Sequence, residues 1–109
     1  MRSGRLRFPV EILQESINRD DAGAVFKTWT VIDTVRMDFD PQFGAEQVLR
    51  GREIDPATVR FRCRYRDDIV STMRLRHDGV YYEITGKPAD RNGRKRELLI
   101  PARVVTDGG

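Results

Sequence analysis

Apolar and polar residues alternate with a period of two over most of this chain, the pattern of strands with one buried face. Leu6, Phe8, Val10 and Ile12 alternate with Arg5, Arg7 and Glu11, which predicts a first strand. Pro9 falls on its polar phase, where a missing N–H suits an edge. Residues 18–24, NRDDAGA, are turn chemistry, and FKTWTVI predicts a second strand, paired with the first as a hairpin with a long loop. Trp29 and Val31 share one face while Phe26 and Ile32 share the other, so the phase here admits a bulge. Val35, Met37 and Phe39 alternate with Arg36, Asp38 and Asp40 in a third strand that Pro41 ends.

The period then fails. Residues 41–56, PQFGAEQVLRGREIDP, form an insert in which 45–49 predict a short helix, with Gly51 near its end. Val59, Phe61, Cys63 and Tyr65 next alternate with Arg60, Arg62, Arg64 and Arg66, the strictest alternation in the chain. DDIVST reads as a turn and MRLRH as a fifth strand. Asp78-Gly79 signals a two-residue hairpin into VYYEIT. PADRNGR is a further turn before a last strand, RELLIPARVV, and 106–109 read as a frayed tail. The expectation is all-β: one domain, 1–109, built as a small antiparallel barrel of six to seven strands with one short helical insertion.

Composition narrows the function. The formal charge of +3 is basic by a small margin, because acids nearly match bases. Arginine far outnumbers lysine, which fits planar recognition of phosphate or carboxylate, and equally a GC-rich genome. A lone Cys63 on an apolar strand face reads as core, and it forms no internal disulfide. His77, the single histidine, reads as a strand residue beside a turn. No His/Cys spacing suits zinc, no Gly-rich loop opens a helix, and the Asp20-Asp21 and Asp67-Asp68 pairs belong to turns. No catalytic residue, cofactor or metal site is expected. The basic N-terminus lacks the apolar run of a secretory signal, and no segment is apolar for long enough to span a bilayer.

The arginine row is the candidate chemistry. Four guanidiniums stand roughly 7 Å apart on one side of one strand, and Arg74 and Arg76 repeat the pattern on the next. If those two strands pair, like charges crowd and need counter-charge. Asp38 and Asp40 supply it if the third strand borders the Arg strand. Acidic residues of a neighbouring subunit supply it at an interface, and DNA phosphates along a basic stripe. All three sources stay open. Charge reversal at Arg62 and Arg64 is expected to disturb assembly and spare the fold.

Several pieces occur in a telling order: Gly4-Arg5-Leu6-Arg7 running into a strand, Thr28-Trp29, Gly44-Ala45-Glu46, RFRCRYRDDI, MRLRHDGVYYEI and RELLI. Over residues 4–105 the chain resembles the phage head–tail joining family, the head-closure or stopper proteins of long-tailed phages, prophages and gene transfer agents. The resemblance implies a small barrel that assembles as a homo-oligomeric ring, a hexamer being favoured over a twelve-fold ring. Such a ring sits in the particle between the portal and adaptor rings and the tail's uppermost ring, around a channel that carries packaged DNA. It implies assembly and gating, with no membrane. The insert occupies the place of a gating loop, although its helical propensity departs from a simple one. Its Phe43, Glu46, Val48, Leu49, Arg50 and Arg52 are the candidate contacts with the channel or a neighbouring ring, unless the helix merely caps the barrel. The competing class is a monomeric barrel that binds nucleic acid by its basic face. That class usually presents exposed aromatics, which this pattern places inside.

Overall fold

The computed structural model describes residues 7–105. Strands β1 (Phe8–Arg19) and β2 (Val25–Asp40) lead to helix α1 (Phe43–Leu49). Then follow β3 (Val59–Arg64), β4 (Arg74–His77), β5 (Val80–Ile84), β6 (Ala89–Asp90) and β7 (Glu97–Val104). Pairing runs β3-β2-β1-β4-β5-β7 and closes through β3–β7, all antiparallel, with the two-residue β6 beside β5 on the same edge of β7. Closure leaves the barrel without a free edge.

The alternation read from the sequence is what fills the barrel. Val10, Ile12, Met37, Phe61, Cys63, Leu75, Ile100 and Ala102 point inward and are essentially solvent-free. Phe61 stacks on Phe39 at 4.9 Å and meets Tyr82 edge-on at 5.2 Å. Burying a ring of that size stabilises by about 1.5–3 kcal/mol. His77 packs its ring against Phe8 and Phe39, each at 5.1 Å, where the chain turns at Asp78-Gly79. Both turn residues have positive φ, 54° and 77°, as the two-residue hairpin requires.

Four expectations need correction. The second and third strands are one strand, β2, and the break between them is a bulge: Ile12 pairs with Asp33 and Leu13 with Val31, leaving Ile32 unpaired. The loop of the first hairpin is tight rather than long, because β1 continues to Arg19. Asp20 closes the turn: its N–H donates to Ala24 O, its carboxylate accepts from the amides of Ala22 and Ala24, and Gly23 supplies a φ of 86°. The pairing of the Arg strand with the MRLRH strand, left open above, does not occur: β3 lies between β2 and β7, and β4 between β1 and β5. PADRNGR is more than a turn, since it contains β6 and a 3-10 turn at Arg91–Gly93. The helix also starts at Phe43, two residues before the predicted start. Leu6, the first expected strand residue, and the expected frayed tail at 106–109 lie outside the described residues.

The long hairpin gives the molecule its shape. Past Leu13 only β1 and β2 remain paired, from Gln14–Thr30 to Arg19–Val25. At about 3.3 Å per residue this two-stranded arm reaches roughly 20 Å from the barrel, within overall extents of 53 × 28 × 25 Å. The extra residue at Ile32 inverts the side-chain phase. Val35, Met37 and Phe39 face the barrel interior, whereas Val31 and Trp29 continue the outer face. Leu13 is buried, yet outside the main core: it pairs with Val31 and Arg74 at the root of the arm.

Candidate functional site

Counter-charge for the arginine row comes largely from the chain itself, because β3 borders β2. The register sets Asp38 opposite Arg62 and Asp40 opposite Arg60. Arg62 is buried; its guanidinium joins Asp38 Oδ2 at 3.1 Å and Glu97 Oε2. Glu97 in turn accepts from Arg91 Nη1 at 2.9 Å. The expectation that Arg62 lies on an open face is therefore corrected: it is a structural crosslink between β2 and β7 across the Arg strand. Arg60 approaches Asp40 at 3.8 Å and lies over the Phe43 ring at 4.6 Å. Arg66 grips both oxygens of Asp68 and reaches Asp33 Oδ2 at 2.9 Å, clamping the barrel mouth at the arm's root.

Arg76, on β4, pairs with Glu11 and donates to the Tyr81 hydroxyl at 2.8 Å. Arg74 stacks on Trp29, 4.3 Å from the ring centroid, and its buried Nη1 has no hydrogen-bond partner. Arg64 is exposed, and among the described residues its side chain makes no hydrogen bond or ion pair. These contacts shift titration in the expected directions. The Arg76 hydrogen bond holds Glu11 below the usual carboxylate range, and the Arg66 fork does the same for Asp68. Asp55 is lowered by the Ala57 amide first and Arg103 second. Burial pushes the Cys63 thiol up to about 11, so it stays protonated at neutral pH.

The insert is anchored at its start and open at its end. Gly44 is buried, donates its N–H to Thr58 O at 2.8 Å, and lies so close to residues 55–58 that a Cβ would meet three carbonyl oxygens at 2.6–2.7 Å. Gly51, with φ of 82°, turns the chain after the helix, where a glycine was expected. Phe43 is covered by Arg60, while Glu46, Val48, Arg50 and Arg52 are exposed and Leu49 is 87% exposed. The helix is thus held against residues 55–60 by Gly44 and Phe43 and presents Leu49 outward.

The arm projects at the opposite end. There the arm leaves β1 and β2, β3 hands over to residues 65–73, β5 to residues 85–88, and β7 begins. Sequence reading missed the arm as a unit: its alternation is weak because both faces meet solvent. The bulge at Ile32, visible as a conflict of phase, was the available signal. Among the described residues no cluster of His, Cys, Asp or Glu is placed to hold a metal ion. No helix there is long and apolar enough to cross a membrane.

Closed barrel, two-stranded arm and ion pairs that tie neighbouring strands define a class: a small β-barrel braced from outside by its own arginines and carboxylates. Its family follows from comparison with known proteins. The family of phage head completion proteins matches residues 1–105, and the chain belongs to it. It is 31% identical over 105 residues to head completion protein gp7 of Enterobacteria phage HK97, covering 91% of this chain and 94% of that one. The solution structure of protein SF1141 from Shigella flexneri 2a superposes with a TM-score of 0.80 at 28% identity, covering 98% and 99% of the two chains. A chain in the virion of a native gene transfer agent particle shares the fold, with a TM-score of 0.62 at 19% identity over 93% and 96%.

Proposed function

We propose that this chain is a structural subunit of a phage-like particle that completes the DNA-filled head and joins it to the tail. The observation that carries this reading is the family match along nearly the whole chain. In this reading the protein acts as a homo-oligomeric ring, a hexamer being favoured over a twelve-fold ring. Portal and adaptor rings lie on one side, the tail's uppermost ring on the other, and packaged DNA in the channel. Its work is assembly and retention of DNA, without chemical catalysis. Arg64, Arg50, Arg52 and Leu49, left open by the fold, are the proposed contacts with neighbours or DNA; Arg60, Arg66 and Arg76 support the surface from carboxylates of their own chain. Those internal pairs also weaken the reading as a monomeric nucleic-acid barrel, as does the inward placement of Phe61 and Tyr82.

The test is deletion of the gene from a producing strain, followed by electron microscopy of the particles. Heads without attached tails are expected, with tail joining restored by adding the purified protein. Normal tailed, DNA-filled particles in its absence would overturn the proposal. Replacing residues 45–52 with a short Gly-Ser link tests the insert separately: DNA retention or tail joining should fail while the barrel still folds.

A further inference from the structure

We propose that the turn at residues 91–96, with Arg64 beside it, is the surface that meets the phosphate backbone of duplex DNA. The inference takes its setting from the head-completion reading above, and names the side chains that would face the packaged DNA.

Most basic residues on the barrel wall are spent inside the chain. Arg60, Arg62, Arg66, Arg76 and Arg103 each meet a carboxylate of their own chain. The turn departs from that rule. Its sequence, RNGRKR, holds four cations and no acid, and all six residues are exposed. Arg91 reaches Glu97 at 2.9 Å, whereas the side chains of Arg94, Lys95 and Arg96 make no hydrogen bond or ion pair among the described residues. A fourth free cation comes from β3. The register sets Arg64 opposite Glu97, and the Tyr65 N–H donates to Arg96 O at 3.0 Å, so the end of β3 lies against the end of the turn.

Carboxylates on the adjoining segments leave this group in excess. They are Asp67, Asp90 and Glu97. Glu97 is taken by Arg62 and Arg91. Asp90 accepts from the Lys95 amide at 2.9 and 3.0 Å, which closes the turn without pairing a charged side chain. Asp67 is exposed, lines the neighbouring groove with Lys87 and Asp90, and forms no ion pair among the described residues. Arg64, Arg94, Lys95 and Arg96 thus stand against Asp67 and Asp90 alone. Unrelieved like charge weighs against the compact state, and a polyanion removes that cost.

The chemistry selects DNA over an acidic protein. The turn has no apolar residue to seed an interface core, and lysine is depleted at protein interfaces. Arginine, lysine and asparagine are side chains that hold phosphate oxygens, and Asn92 stands between Arg91 and Arg94. The turn is also preformed. Asn92, Gly93 and Lys95 have φ of 62°, 65° and 54°, a left-handed path that Asp90 fastens at Lys95, so little ordering is left to oppose binding. Contacts of this kind position the duplex and read no sequence.

Fluorescence anisotropy of a labelled random-sequence duplex, titrated with the purified full-length protein over a series of KCl concentrations, tests this. Four phosphate contacts predict that log K falls against log[KCl] with a slope of about −3.6. Arg94→Gln, Lys95→Gln and Arg96→Gln together should weaken binding at least tenfold and bring the slope to about −1. Arg19→Gln, Lys27→Gln and Arg36→Gln remove the same charge from exposed positions on β1 and β2, and should change affinity by less than about threefold. No binding of the duplex, unchanged affinity in the first variant, or an equal loss in the second would each overturn the inference. Tighter binding of labelled poly-glutamate than of duplex at equal charge would assign the turn to an acidic protein and overturn it too. The two proposals fail separately. Particles that lose their tails when the gene is deleted, with a protein that binds no duplex, keep the head-completion role and refute the contact. Duplex binding through the turn, in a strain whose particles are normal without the gene, does the reverse.

Discussion

Gly44 has no side chain because three carbonyl oxygens already occupy the space. Gly44→Ala forces the start of α1 away from residues 55–58, at a cost of about 1–3 kcal/mol typical of overpacking, read as a lower urea midpoint. Arg62 has a different logic, since removing it leaves Asp38 and Glu97 facing each other. Breaking a fully buried pair costs about 3–5 kcal/mol; these carboxylates keep side-chain exposures of 31% and 33%. Arg62→Met should therefore cost less, about 2–3 kcal/mol. Arg64→Glu, on an exposed side chain, should stay within about 0.5 kcal/mol, so it alone of the two is suited to testing assembly. Acid acts through Glu11, Asp55 and Asp68. Their folded pKa values are depressed, so their contribution is complete above the ordinary carboxylate value of about 4 and is lost as pH falls below it. Denaturation midpoints should be level from pH 7 to about 5 and then drop, and Glu11→Gln should flatten part of that drop.

Elements were legible where one face is buried and obscure where neither is. The Arg strand, the Asp78-Gly79 hairpin and the final strand follow from alternation because a one-residue slip would move a whole apolar set into water. The outer half of β1 has no buried face, so Gln14–Arg19 carries no period and reads as the approach to a loop. Pairing partners were less legible still, since alternation says which way a side chain faces and nothing of which strand lies alongside. For that reason the internal counter-charge of Asp38 and Asp40 was one option among three until β2 was seen beside β3. The bulge yields a sharp prediction. Deleting Ile32 removes the unpaired residue and leaves Asp33 opposite Ile12 and Val31 opposite Leu13, so Trp29 should stay on the outer face beside Arg74. Fluorescence reads this cleanly because Trp29 is the single tryptophan: its emission and its accessibility to iodide should hold, and a red shift with stronger quenching would show that the strand had slipped instead.

At the scale of the whole molecule, size limits what one contact can do. Stable interfaces bury about 800 Å² per partner, and a small subunit that meets its neighbours through polar surface gains little at each contact against the entropy of association. Free protein at micromolar concentration should therefore sediment as a monomer or weak oligomer, and close into a ring when an adjoining ring aligns the copies. A stable closed ring of the protein alone would contradict this. The pairing scheme also has a consequence in time. The barrel is shut by its last strand, because β7 bridges β3 and β5. On the ribosome the arm, made from neighbouring segments, can zip early, whereas the wall stays split until β7 emerges. A chain interrupted before that point keeps two raw strand edges, open to proteases and to chaperones that grasp extended backbone. A chain truncated before β7 is therefore expected to be cut by protease far faster than the closed barrel.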